Sequence, residues 1–301
     1  ALLAALDDEQ RSLAARPFRD HAARRWLEYR PRDRPGACIA ELSGTGRKAA
    51  HRLLATGLSE HAYAQAMGII ALEEVLDRQE QWQLGRHSGD YWVNVFGDPA
   101  AEQPWSWRFE GHHLSVTMTV AEGDVSPAPV FLGANPACVS YAGRPVSRPL
   151  APEEDLVRAL LDAMGPAGRS AAVVASQAPD DIRTSTNPRA QERIEPLGVS
   201  AARLGVSARA VLDQLVALYL DRLPAELAAR EASRVAGADL HFAWEGPVTP
   251  GARHYYRVQG DDLLIEYDST DNGNHAHTVL RRPRSDFGDD VLASHYQPGH
   301  P

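Results

Sequence analysis

The alternation of apolar and polar positions divides the chain into four blocks. Residues 1–85 carry helical spacing. After Ser59, a suitable N-cap, Tyr63, Met67, Ile70, Ala71 and Val75 recur three or four positions apart, leaving Glu73, Glu74 and Asp77 for the wet side. Asp7-Asp8 precede an earlier helix in the same block. Residues 86–150 switch to strand character at 91–96, 105–120 and 130–132, separated by Gly97-Asp98-Pro99 and Glu122-Gly123-Asp124. Residues 151–236 return to helix. They open on Glu153-Glu154-Asp155, where the macrodipole favours acids, and continue at 209–222 until Pro224 interrupts. Residues 237–301 are again strand-rich, at 240–244, 254–259, 263–268 and 275–281, with a tight turn at Gly260-Asp261-Asp262.

This order is not the regular βα alternation of a doubly wound sheet. The two strand blocks are expected to merge into one antiparallel sheet packed with helices. The expected fold is therefore α+β, one domain over 1–301, without an internal repeat. The polar stretch 176–205 lacks periodicity, and a surface connection and a lid fit it equally well.

Composition narrows the partners. An apolar fraction of 44% with 24% charged residues is enough for a sizeable core. A net charge of −9 argues against nucleic-acid binding, which needs a basic surface. No basic amphipathic stretch and no apolar run near the roughly 20 residues of a membrane span is present. The expectation is a soluble protein with a small-molecule substrate and no nucleic-acid or membrane partner. Its place is cytoplasmic, or exported if a signal peptide preceded Ala1. Cys38 and Cys138 are isolated, which favours free thiols and excludes a cysteine-rich zinc module.

The candidate chemistry lies in histidines. His275 and His277 are two apart, so one strand would aim both imidazoles to one face, a common start for a transition-metal site. His112-His113 form a second couple in the other strand block. If 107–120 is one strand, His113 shares the polar face with Ser115, Thr117 and Thr119. His112 then faces the core, unless Gly111 marks a bulge. Convergence of His113, His275 and His277, with His112 as the alternative, would give three protein ligands and an open position, as catalytic metals have. Iron, copper and zinc all suit such a donor set.

Glu266, on a neighbouring strand, is a candidate fourth ligand, outer partner or general base. Arg257 and Arg281 are candidates to anchor an anionic substrate, although arginines on a polar sheet face also pair with acids. His254 and His295 read as structural, and the six tryptophans as core or pocket wall. The Gly44–Lys48 stretch lacks phosphate-loop spacing, and no Gly-x-Ser-x-Gly or His-Glu-x-x-His motif occurs.

Several ordered segments resemble domain of unknown function 3500. They are Glu110-Gly111-His112-His113-Leu114, Phe131-Leu132-Gly133-Ala134-Asn135-Pro136, Phe242-Ala243-Trp244, His254-Tyr255-Tyr256-Arg257, Ile265-Glu266-Tyr267-Asp268 and His275–Val279. Asp286–Asp290, His295-Tyr296 and the opening around Leu6–Gln10 and Trp26 extend the likeness over almost the whole chain. The resemblance implies no activity. In the family pattern an acid follows the last strand's arginine, whereas Arg282 follows Arg281 here, which changes a charge partner.

The leading expectation is a metal-dependent enzyme with a mononuclear His113, His275 and His277 site assisted by Glu266. Redox chemistry is favoured over hydrolysis because aromatic residues surround these strands. The alternatives are a non-catalytic metal or small-ligand binder, and a cluster of hydrogen-bonded structural histidines.

Overall fold

The computed structural model describes residues 1–190 and 198–295; Tyr296, the side chain of His295 and part of the 176–205 stretch lie outside the described residues. Eight strands form the body of one large sheet: β1 (Tyr91–Phe96), β2 (Trp105–Gly111), β3 (Leu114–Ala121), β4 (Val130–Ala134), β5 (His241–Glu245), β6 (His254–Gln259), β7 (Leu264–Thr270) and β8 (His275–Arg281). Their spatial order is β1-β2-β3-β4-β8-β7-β6-β5, and all neighbours in it are antiparallel. The fold is α+β, with both strand-rich blocks in one sheet. The sheet as a whole is mixed. Short strands at Ala15–Arg16 and Val173–Ala175 lie parallel to β1 and β5 at its two edges.

The order reads the same from either edge, which corrects the expectation of no repeat. Each half is a four-strand meander, and the halves meet where β4 pairs β8. The correspondence continues outward: Ala37–Cys38 pairs antiparallel with β1 as Val199–Ser200 does with β5. A 3-10 turn and a long helix follow each of these, α1 (Gly44–Gly57) in one half and, in the other, a helix at Val206–Leu220. At the β2–β3 turn, Arg108, Gly111 and Leu114 fall at the positions of Arg257, Gly260 and Leu263 at the β6–β7 turn. The residues between are His112-His113 in one half and Asp261-Asp262 in the other. So little identity remains elsewhere that the sequence pattern does not announce the repeat.

The long helices cover one face. Between α1 and α2 (Glu60–Gln79), Ser59 caps the second helix through its side chain, and Ala62, Ala66, Ile69 and Ile70 turn inward. The helix at Ala151–Ala163 is α3, the one at Val206–Leu220 is α4, and Ala225–Val235 is α5. Their apolar stripes meet Val93, Phe109, Val116, Leu132, Ala276, Ile265, Tyr256 and Trp244 in a single core. Among the described residues, no helix is long and apolar enough to cross a membrane. Cys38 and Cys138 are both free.

The other face carries Arg108, Glu110, Ser115, Thr117, His277, Arg281, Glu266, Asp268, Arg257 and Glu245, yet all are buried. Extended chain and short helical segments cover it, among them His21–Arg24, Asp286–Gly288 and Asp289–His295. Arg108 donates to the carbonyl of Ala23, Arg24 to that of Phe287, and Arg281 to that of Asn187. Buried charge must be paired or hydrogen-bonded. Loops and the ends of short helices suit this task because their carbonyls and amides are free to serve the sheet's side chains. A small apolar plug of Leu27, Tyr29, Phe131, Ile182, Val279 and Phe287 sits within this polar layer.

Candidate metal centre

His112 and His113 occupy the β2–β3 turn, rather than the middle of one continuous strand. Strand pairing ends at Gly111 and resumes at Leu114. His113 holds φ 60°, a conformation that non-glycine residues adopt rarely. Two backbone bonds fix it there: its N–H donates to the carbonyl of Tyr29 at 3.0 Å, and its carbonyl accepts from Gly133 at 2.7 Å. Gly133 is required by proximity, because a Cβ there would lie 2.8 Å from Cδ2 of His113.

β8 delivers the other imidazoles. His275 and His277 share a face, and Asp268 on β7 lies directly opposite His277. One ring nitrogen from each of His113, His275 and His277 falls within 4.8 Å of the others. The Nε2 atoms of His113 and His275 are 2.9 Å apart. Carboxylates engage the remaining nitrogens of the β8 pair. His275 Nδ1 lies 2.7 Å from Asp271, and His277 Nδ1 lies 3.2 Å from both Asp268 and Asp181. Each Nδ1–H therefore donates outward, and each Nε2 is the nitrogen left for the cluster. Carboxylate, imidazole and an inward nitrogen form the arrangement that orients metal-binding histidines.

Electrostatics distinguishes the three rings. Burial pushes His113 well below the ordinary histidine value, and the neighbouring imidazoles add to this. Burial likewise lowers His275 to about 4, with His277 adding and Asp271 opposing. Burial also works against a charged His277, but Asp268 and Asp181 outweigh it and raise this ring to about 10. Asp268 itself is pushed up by burial, partly countered by His277. Behind His277, Tyr29 donates to Asp181 at 2.7 Å and stacks on Phe131 at 4.0 Å between ring centres. The cluster is thus dry on one side, while His275 and Asp181 keep partial exposure.

The other sequence candidates sit elsewhere. His112 stacks on His113 at 3.8 Å, but its Nδ1 turns to Glu73 at 2.6 Å. Glu266 is fully buried under the 181–184 segment. Its carboxylate accepts from the amides of Arg183 and Thr184, the Thr184 hydroxyl and the Tyr255 hydroxyl. Arg257 pairs with Glu245 and Gln259, and Arg281 with Asp286. All three belong to the buried polar layer and do not reach the imidazoles. His254 bonds Glu154 and stacks on Trp244, a structural placement. The lid reading of 176–205 is answered in part: 181–184 bonds to the sheet and carries Asp181 to His277.

The sequence reading missed Asp181, Asp271, Tyr29 and Glu73. Asp268 was named only within the Ile265–Asp268 segment, without a role. The Asp271-Asn272-Gly273-Asn274 connection could have supplied it, since a four-residue hairpin loop fixes Asp268 opposite His277.

A family model described as protein of unknown function (DUF3500) matches residues 1–289. The chain belongs to the DUF3500 family. No curated protein and no solved structure matches it. The family description carries no activity, so function has to be argued from the imidazole cluster.

Proposed function

We propose that the protein is a metal-dependent enzyme acting on a small molecule, with one divalent transition ion, iron, copper or zinc, held by His113, His275 and His277. The observation that supports this most is the pair of carboxylate-backed imidazoles on β8, whose free nitrogens meet His113. The donor set fits such an ion: three imidazoles match its preference, and the second nitrogens of His275 and His277 are already occupied. A bound ion would supply Lewis acidity or one-electron chemistry.

The chain's own residues then have defined tasks. Asp268 and Asp271 hold the β8 rings through Nδ1–H, which directs each Nε2 into the cluster. The Tyr29 and Phe131 plug keeps water from the back of His277. Redox chemistry is favoured over hydrolysis, because the nearest carboxylates are committed to imidazole Nδ1 atoms and Glu266 is enclosed by donors. Among the described residues, no carboxylate is left beside the cluster to act as a base on water.

The test is oxygen uptake, and in parallel ester and amide turnover, across a compound panel with protein reconstituted with each metal. Turnover that depends on metal and disappears in His275→Ala supports the reading. Stoichiometric metal without turnover in any assay would favour the non-catalytic binder.

A further inference from the structure

One cavity lies beside the imidazole cluster and is not explained by it. It has a volume of about 440 Å³, and His112 forms part of its wall. His112 is only 8% exposed. Its Nδ1 faces Glu73 at 2.6 Å, which fixes that nitrogen as the donor. No protein partner is seen for its Nε2 among the described residues, and that atom is not sealed from solvent, so an open acceptor remains on a ring lining the cavity.

Arg86 complements it. The Nε and Nη2 atoms of Arg86 grip both oxygens of Glu80, at 2.6 and 3.0 Å. Its Nη1 points towards His112 Nδ1 at 3.4 Å, a nitrogen already donating to Glu73 and unable to accept. The cavity therefore has an acceptor and a donor on two neighbouring side chains of its wall. A hydroxyl satisfies both, donating to His112 Nε2 and accepting from Arg86.

The remaining walls decide the ligand's charge. Asp33, Glu73 and Asp90 face Arg32, Arg34 and Arg86, so acids and bases are equal in number. That balance favours neither an anion nor a cation, and it offers donors and acceptors to further hydroxyls. Trp92 adds an apolar surface for C–H groups. The volume falls within the range of small-molecule sites.

We infer that this cavity binds a neutral polyhydroxylated small molecule, of the sugar or cyclitol class, through His112 and Arg86. The site stands whether or not His113 carries a metal, although the 3.8 Å stack of His112 on His113 would let each feel the other.

The experiment is titration calorimetry with saturation-transfer NMR on the full chain. The probes are D-glucose, D-xylose and myo-inositol, with benzoate and putrescine as charged controls. Saturable binding of at least one polyol is expected, weakened tenfold or more in His112→Gln and in Arg86→Gln, with no binding of either control. Arg86 keeps the test open should the buried His112→Gln variant fail to fold. Absence of polyol binding, or undiminished binding in the folded variants, overturns the inference. Preferential binding of benzoate or putrescine overturns the ligand class. Metal content measured on the same samples reports on the His113 centre independently.

Discussion

His113 and His275 come from opposite halves of the chain, yet their Nε2 atoms lie 2.9 Å apart. One hydrogen bond explains such a contact only if one ring donates through Nε2. Asp271 fixes the Nδ1–H tautomer of His275, so His113 would have to be that donor. A shared cation removes the requirement and uses the His277 nitrogen as well.

Metal binding should release protons in a number set by His277. Among the three rings it alone is raised, to about 10, while His275 lies at about 4 and His113 well below the ordinary value. At pH 7 to 9 only His277 then has a proton to give up from Nε2. Calorimetry in buffers of different ionisation enthalpy should find about one proton released per chain, with affinity rising about tenfold per pH unit. Release of none, or of three, contradicts the assignment.

The metal-free protein should respond to pH in the opposite sense. A ring whose folded value is raised contributes stability fully below the unfolded value near 6.5, and loses it as pH rises through about 10. Thermal melts of metal-free protein should decline across that window, whereas the increment gained on adding metal should grow. His277→Gln should flatten the decline; an unchanged slope would show that another group causes it.

Asp268→Asn and Asp181→Asn should each weaken metal affinity about 10- to 100-fold, because they remove carboxylates that orient His277. Asp271 is largely exposed, so Asp271→Asn should cost less. Competition with a chelating dye measures all three, and equal affinities throughout would remove the orienting role.

Glu266→Ala should act on stability. Four donors converge on its buried carboxylate, and leaving them unmatched costs about 3 kcal/mol or more. Denaturant unfolding should show that loss, while metal bound per folded chain stays the same. Loss of metal without loss of stability would return Glu266 to the centre.

What the sequence made legible follows the range of the forces involved. Alternation exposed the strands, because a sheet with one apolar face writes a period of two into the chain. It also placed His275 and His277 on one face and Glu266 on the neighbouring strand. It failed at His112 and His113, where a tight turn at Gly111 replaces continuous alternation and sends the rings in different directions. Asp181 and Tyr29 were invisible for another reason. They lie in chain without periodicity, and their positions depend on carbonyls and side chains of a distant sheet face. Glu266, Arg257 and Arg281 looked reactive because charge on a strand suggests exposure, whereas here a layer of loops and short helices buries it.

The most direct test is the metal content of protein purified without a histidine tag, measured by mass spectrometry before and after reconstitution. Wild-type protein is predicted to hold about one transition ion per chain, with His275→Ala and His277→Ala folded but reduced at least about tenfold in affinity. Wild-type protein without stoichiometric metal, or His277→Ala binding iron, copper and zinc as well as wild type, would contradict the account.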